Sequence, residues 1–207
     1  MEEGNIILLG DLSESNIKLP DPDLYKFYQD LKNRVLWLDS EINEDSLMII
    51  RYILQWNQED VGKPLDLRKP IKLMINSVGG SLDIADSIVS IIELSKTPVW
   101  GIGIGMVASA ASLIYLACHK RFALKTTYFI FHKGSYTGGS ANYNELMAAM
   151  DDYKKQVERM VQFYITHTGY EETEVKGKIE TDWYIRGQEL VEKGVIDEFI
   201  SDIDTLL

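Results

Sequence analysis

A stretch without charged residues, Val99–Cys118, constrains the fold of this chain most strongly. Its first part has Gly101, Gly103 and Gly105 at alternate positions, which is the period of a strand, whereas Leu113–Cys118 is a continuous apolar run typical of a buried helix. The stretch is long enough to suggest a membrane span, but a strand followed by a helix explains the alternating glycines better. We therefore expect a buried strand, a turn and a buried helix, as in parallel sheets covered by helices.

Apolar residues at helical spacing predict two further helices. In the first, which Asn43 would cap and which ends at about Trp56, one face carries Leu47, Ile50, Ile53 and Leu54. The second is one long helix over residues 141–168, with apolar residues at Leu146, Met150, Val157, Met160, Val161 and Tyr164.

Ser109 lies at the junction between the strand and the helix of the stretch Val99–Cys118. Backbone N–H groups in the first turn of a helix have no partner within the helix and give that end a positive partial charge. A hydroxyl placed there has the surroundings that an acyl-transfer nucleophile and its oxyanion need. Serine is also a common helix cap, so this segment alone leaves a capping and a catalytic interpretation open.

Two further segments place functional groups at the ends of expected strands. Gly79-Gly80 follows the strand-like run Ile71–Ile75 and permits a sharp turn that brings a backbone N–H close to a ligand. His132 ends the alternating aromatic run Tyr128–Phe131 and precedes a Lys-Gly turn. A histidine at a strand end can reach a neighbouring strand–helix junction, although the pattern also fits an ordinary half-exposed residue.

The order of these segments resembles the proteolytic subunit of the ATP-dependent Clp protease. The resemblance covers about residues 31–200 and rests on these segments: Asn76–Gly80, Gly105–Ser109, Phe131-His132, His167–Gly169, Thr181–Tyr184 and Gln188–Asp197. It implies an α/β fold, with βα layers of the Clp protease and crotonase type and a long projecting handle helix. It also implies an N-terminal segment at an axial pore over residues 1–20 and a single catalytic domain over residues 21–207.

Carried over position by position, the resemblance implies a catalytic triad. Ser109 is then the nucleophile, His132 the general base and Asp182 the carboxylate that orients the base. Asp182 is one of 32 acidic residues, so the family pattern alone selects it. The implied function is a serine endopeptidase subunit of a self-compartmentalised protease that cleaves polypeptides and uses neither a cofactor nor a metal.

The resemblance also assigns groups around the triad. The backbone N–H groups of Gly80 and Ala110 are implied as the oxyanion hole, and Leu82 and Ser135 as substrate-binding residues. The chain departs from the usual family pattern after the histidine, where Lys133-Gly134 replaces Gln-Pro.

The resemblance further implies partners. In the family, the handle helix interlocks two stacked seven-membered rings, so we expect a homo-oligomer and assign the handle to Ala141–Thr168. An amphipathic helix packed on its own sheet is the alternative for this segment. Family members receive loops of an AAA+ unfoldase in apolar pockets that are partly built by aromatic residues. Lys72 and Met74 occupy those positions here, so we expect weak docking of such an unfoldase.

Charge and cysteine content narrow the classes of function. The net charge is −11, whereas nucleic-acid binding without sequence preference needs clustered lysine and arginine, so no nucleic-acid partner is expected. Cys118 is the single cysteine and lies in an apolar run, which excludes an internal disulfide. The start of the chain lacks the basic residues of a secretory signal, so we expect a cytoplasmic protein without a membrane partner.

Two other functions remain open on the sequence. A crotonase-like acyl-CoA enzyme also uses backbone N–H groups at the start of a helix, but such enzymes usually employ acidic residues rather than a serine–histidine pair. A catalytically silent structural subunit of a mixed Clp ring would keep the fold without the reaction. The presence of all three triad residue types counts against a catalytically silent subunit.

Overall fold

The computed structural model describes residues 21–134 and 142–206. The expected axial-pore segment, residues 1–20, and Ser135 lie outside the described residues. The chain divides into two units, the first ending at Asn33 and the second beginning at Arg34. In the first unit, helix α1 (Pro22–Lys32) begins after Asp21, whose carboxylate accepts a hydrogen bond of 2.9 Å from the backbone N–H of Asp23.

In the described part of the second unit, seven strands form one sheet. The strands are β1 (Val35–Leu38), β2 (Ile71–Ser77), β3 (Val99–Ala108), β4 (Lys120–Ala123), β5 (Tyr128–Phe131), β6 (Trp183–Arg186) and β7 (Glu198–Phe199). Their order is β1-β2-β3-β4-β7, with β5 beside the end of β3 and β6 beside β5. Every pair is parallel except β5 and β6, which run antiparallel.

Helices connect most of these strands, as expected for parallel neighbours, which need a crossover connection. The helices are α2 (Met48–Glu59), α3 (Leu82–Leu94), α4 (Ala110–Leu116), α5 (Tyr143–His167), α6 (Glu172–Lys178) and α7 (Glu189–Glu192). The result is the α/β architecture that the sequence predicted.

The buried face of α2 differs from the predicted one. Asn43 caps a short 3₁₀ turn that leads into α2, and the helix buries Ile49, Ile53 and Trp56. Leu54, which we expected on the apolar face, is 53% exposed. The prediction started the helical period at Asn43, and the tighter 3₁₀ turn rotates the residues that follow.

The uncharged stretch Val99–Cys118 folds into a strand followed by a buried helix, as expected. β3 extends to Ala108, immediately before Ser109, and every residue of α4 is buried. Backbone hydrogen bonds are completed within the sheet and the helix, so this segment can lie in the interior without charged or strongly polar side chains.

α5 is buried only in its second half. Met160, Val161 and Tyr164 are buried, whereas Leu146 and Met150 are 39% and 44% exposed. The first half of the helix therefore presents apolar side chains outside the core, which fits the projecting handle helix predicted for this segment. Among the described residues, no helix combines the length and the apolar character needed to cross a membrane.

Candidate active site

Strand pairing brings Ser109 to the end of β5. In the parallel pair of β3 and β5, Ala108 lies opposite Ile130. The pairing continues one residue further, because the Ser109 N–H donates to the carbonyl oxygen of Ile130 at 2.9 Å. Ser109 therefore leaves the sheet beside Phe131, the last residue of β5, and His132 follows directly.

Antiparallel pairing brings Asp182 to the same place. Phe131 lies opposite Trp183 in the pair of β5 and β6, so His132 and Asp182 are the next facing positions beyond the strand ends. The Phe131 ring packs edge-on against Trp183, with a centroid distance of 5.7 Å, and stacks on Tyr164 at 4.2 Å. These buried contacts hold the ends of both strands in place.

The three predicted triad side chains form a hydrogen-bonded chain. The Ser109 Oγ lies 2.7 Å from Nε2 of His132, and the His132 Nδ1 lies 3.1 Å from Oδ1 of Asp182. A carboxylate accepts hydrogen bonds, so it selects the tautomer that carries hydrogen on Nδ1. The His132 Nε2 is then the acceptor for the serine hydroxyl, which is the arrangement that a general base requires.

The backbone at Ser109 is held in an unusual conformation. Its φ and ψ angles are 54° and −129°, a region that residues with a side chain rarely occupy. The Ser112 hydroxyl donates to the Ser109 carbonyl oxygen at 2.6 Å and lies 3.2 Å from the Tyr164 hydroxyl. These contacts from buried groups help to maintain the strained backbone at Ser109.

The Gly79-Gly80 turn lies against this serine. The Ile42 N–H donates to the Gly79 carbonyl oxygen at 2.8 Å, and the Ser81 N–H donates to the Ile42 carbonyl oxygen at 2.9 Å. Because amide directions alternate along an extended chain, the Gly80 N–H points away from Ile42. The Ser77 hydroxyl accepts from the Gly79 N–H at 3.1 Å and fixes the turn.

An open pocket lies in front of Ser109 and His132. Gly80, Leu82 and Ala110 line it together with Ser109 and His132. Three of the lining residues come from α5 and were not predicted from the sequence: Tyr153, Gln156 and Met160. The apolar period of α5 indicated that Met160 is buried, but no pattern showed which element it would face.

In the described part of the chain, no group of three or more histidine, cysteine or acidic residues could hold a metal ion.

Comparison with known proteins places the chain in a family. Residues 21–202 match the family described as Clp protease. The chain is 31% identical over 171 residues to the ATP-dependent Clp protease proteolytic subunit 2 of Treponema denticola, covering 81% of this chain and 82% of that protein. This chain belongs to the Clp protease family.

Other members of the Clp protease family agree with this assignment. The proteolytic subunit 3 of Rhizobium meliloti is 33% identical over 136 residues, which cover 64% of this chain and 69% of that protein. A mutant of ClpP1 from Listeria monocytogenes shares the fold with a TM-score of 0.74 at 24% identity, covering 88% of this chain and 99% of that one. These matches do not favour the crotonase-like alternative.

The departure at Lys133 creates a contact beside the residues of the predicted triad. The Lys133 ammonium is paired with the Glu180 carboxylate, two residues before Asp182. The Lys133 N–H also donates to the Ile179 carbonyl oxygen at 3.0 Å. These contacts join the segment after His132 to the segment that carries Asp182.

Proposed function

We propose that this chain is a serine endopeptidase subunit that cleaves polypeptides through an acyl-enzyme intermediate. The observation that carries the proposal is the hydrogen-bonded chain from the Ser109 Oγ through His132 to Asp182. Membership in the Clp protease family supports peptide hydrolysis as the reaction.

In the first half of the reaction, the Ser109 Oγ attacks the carbonyl carbon of the scissile peptide bond. The hydroxyl proton moves to the His132 Nε2, which makes the imidazole a cation. Asp182 stabilises this cation and keeps the ring oriented through Nδ1. The tetrahedral intermediate collapses when His132 gives its proton to the leaving amine, and the acyl group remains as an ester on Ser109.

In the second half, water takes the place of the amine. His132 accepts a proton from the water as it attacks the ester carbonyl, and then returns that proton to the Ser109 oxygen. The open pocket lets water reach this position once the amine product has left. The products are a carboxylic acid and an amine, and the free serine is restored.

The oxyanion of both tetrahedral intermediates would bind to backbone N–H groups of Gly80 and Ala110. The Gly80 N–H is turned away from Ile42, and Ala110 is the first residue of α4, where amides have no partner within the helix. Such donors are fixed before the reaction begins, so they stabilise developing charge without reorganising.

The pocket favours a substrate side chain with an apolar body. Leu82, Ala110 and Met160 provide apolar surface beside the nucleophile, whereas Tyr153 and Gln156 add polar groups from α5. Leu82 therefore has the surroundings of a substrate-binding residue, and Ser135 remains a predicted one outside the described residues.

We further propose that the subunit works in a homo-oligomer of two stacked heptameric rings, in the cytoplasm. The exposed apolar side chains in the first half of α5 support a ring–ring interface. Residues 21–207 would then form one catalytic domain, with residues 1–20 at the axial pore.

An AAA+ unfoldase is the expected delivery partner, and its docking is proposed to be weak. Lys72, which stands where the family has an aromatic residue, is buried within the chain. Burial removes water from the Lys72 ammonium and lowers its pKa, and the nearby positive charge of Lys69 lowers the pKa further. A lysine at this position removes the aromatic surface on which a partner loop would pack.

Replacement of the serine tests the proposed reaction. The Ser109→Ala variant should lose at least about 10³-fold in peptide hydrolysis, because the triad residues act as a unit. Ser87→Ala is the matched control, since Ser87 is exposed and its hydroxyl donates to the Asp83 carbonyl oxygen on α3 at 2.9 Å. A fluorophosphonate should label Ser109, and mass spectrometry of the labelled peptide should identify it. Labelling at Ser112, or full activity of Ser109→Ala, would contradict the proposal.

A further inference from the structure

A second pocket lies at the opposite ends of the strands from the triad. Pro70, Pro98 and His119, the residues immediately before β2, β3 and β4, line an open pocket of about 590 Å³. Ser109 follows the other end of β3, which spans ten residues. At about 3.3 Å per residue, roughly 30 Å separate the two sites. A ligand in this pocket would leave the proposed active site open.

The pocket concentrates positive charge in an acidic protein. Arg68, Lys96 and Lys120 line it, with Asp66 as the single acidic residue of the lining. Within the described residues, none of these three cations has a carboxylate partner within 4.0 Å. The whole chain carries a net charge of −11, so the excess of cations in this lining is opposite in sign to the charge of the chain as a whole.

Apolar side chains line the pocket beside these cations. The half-buried Trp100 packs against Phe122 with a centroid distance of 5.4 Å, and the Lys120 ammonium lies 5.4 Å from the centroid of the Trp100 ring. Leu65, on the rim of the pocket, is 62% exposed. Tryptophan and arginine are enriched at protein–protein interfaces, so Trp100 with Arg68 in the same lining suits a protein ligand.

We propose that this pocket binds an acidic peptide segment of a partner protein. Carboxylates of the segment would pair with Lys96, Lys120 and Arg68, and an apolar side chain between them would pack on Trp100. Charge complementarity favours an acidic partner, because among the described residues these three cations have no carboxylate partner within 4.0 Å. A nucleic acid is disfavoured, since a net charge of −11 opposes a polyphosphate and the exposed Leu65 offers it no polar contact.

Binding of a defined probe tests this proposal. The probe is a fluorescein-labelled peptide in which glutamates flank a central leucine, titrated by anisotropy into the full chain carrying Ser109→Ala so that it is not cleaved. The double variant Lys96→Glu/Lys120→Glu should bind it roughly tenfold more weakly or worse, because two attractive charge pairs become repulsive. Added salt should weaken binding to the parent chain, since exposed charges are screened.

Control variants and control probes distinguish binding in the pocket from general electrostatic attraction to the protein surface. Lys125→Glu changes an exposed lysine beyond the other end of β4 and should bind the probe almost as well as the parent chain. Probes with glutamine for glutamate, or serine for leucine, should bind more weakly than the original. Melting temperatures of all variants should agree with that of the parent, which shows that the fold is intact.

Several results would overturn the proposal. The first is the absence of saturable binding of the probe by the parent chain, and the second is equal binding of the probe by the double variant and by Lys125→Glu. The third is tighter binding of a single-stranded oligothymidylate than of the peptide. A change in the native mass of the double variant would assign the surface to contact between copies of this chain. Peptide hydrolysis by the same variants with Ser109 restored is measured separately. Loss of hydrolysis would count against the proposed triad, whereas loss of probe binding alone would concern the proposed pocket.

Discussion

Gly79 packs so closely against Ser109 that a Cβ atom at Gly79 would lie 2.7 Å from the Cβ of Ser109. It would also lie 2.8 Å from the carbonyl oxygen of Ala108. Gly79 has a φ of +94°, a conformation that disfavours any residue with a side chain. The glycine turn and the serine turn therefore determine each other's positions, and the geometry of the site depends on both.

Replacing Gly79 by alanine should reduce peptide hydrolysis about 100-fold or more, because the methyl group would displace Ser109 and small misplacements are costly in catalysis. Gly62→Ala is the matched control. Gly62 has a φ of +85°, and a Cβ there would meet no atom within 4 Å. The control should carry the same kind of backbone strain and keep its activity. Equal losses in both variants would show that backbone strain, and not the contact with Ser109, limits the rate.

Asp60 should be a main determinant of stability. It is fully buried, and its carboxylate accepts hydrogen bonds from Arg34 at 2.6 and 2.9 Å, from Lys63 at 2.7 Å and from Thr97 at 3.0 Å. Asp60→Asn removes the closer counter-charge of the buried guanidinium and leaves it the 3.5 Å contact with the half-exposed Glu59. This should lower the free energy of unfolding by about 3 kcal/mol in urea titrations. Asp151→Asn, at an exposed ion pair, should change it by less than about 1 kcal/mol.

The same carboxylate gives the stability a pH dependence. Arg34, followed by the hydrogen bonds of Lys63 and Thr97, holds the pKa of Asp60 well below its ordinary value of 3.8, although burial opposes this. Because the pKa is lowered in the folded chain, the stabilisation is fully present above that ordinary value and is lost as the pH falls below it. The difference in unfolding free energy between the parent chain and Asp60→Asn should therefore shrink from about pH 5 to pH 3. A constant difference over this interval would contradict the prediction.

Cys118 should be unreactive in the folded chain. Burial raises the pKa of its thiol to about 12, and its hydrogen bond goes to the Ile114 carbonyl oxygen at 3.4 Å. The thiolate is the reactive form, so iodoacetamide at pH 8 should alkylate the native chain far more slowly than the guanidinium-unfolded chain. Mass spectrometry would follow the reaction, with Cys118→Ala as the unreactive control. Complete alkylation of the native chain at the unfolded rate would show that the thiol is accessible.

A charge in the exposed apolar half of α5 should weaken the proposed assembly. Met150→Asp places a carboxylate where the proposal expects a partner ring, and burying an unpaired charge is costly. Native mass spectrometry should show smaller particles than for the parent chain. Asn144→Asp adds the same charge at an exposed polar position in the first turn of α5 and should leave the mass unchanged. A monomeric parent chain across micromolar concentrations would contradict the proposed rings.

Local patterns predicted most elements around the site. The apolar runs of β2, β3 and α4 have a length and a period that few other arrangements satisfy. The Gly79-Gly80 turn and Ser109 follow two of these runs directly, so their places at strand ends could be inferred from neighbours in sequence. The handle helix was predicted for the same reason, because its period extends over many turns.

Long-range contacts were not predictable in this way. Strand β6 has four residues, and only its antiparallel pairing with β5 shows that it belongs to the sheet. The buried pair of Arg34 and Asp60 joins residues 26 positions apart that carry no local signal. The 3₁₀ turn before α2 altered which face of that helix is buried, as Leu54 shows.

The sequence by itself determined the α/β class, the serine at a strand–helix junction and the histidine at a strand end, because these depend on residue type and local period. The tertiary structure decided which acidic residue meets His132. Apart from the family resemblance, what distinguishes Asp182 is the register that places Trp183 opposite Phe131, 52 positions earlier in the chain. That register depends on the packing of Phe131 against Trp183 and Tyr164, and such contacts exist only once the chain has folded.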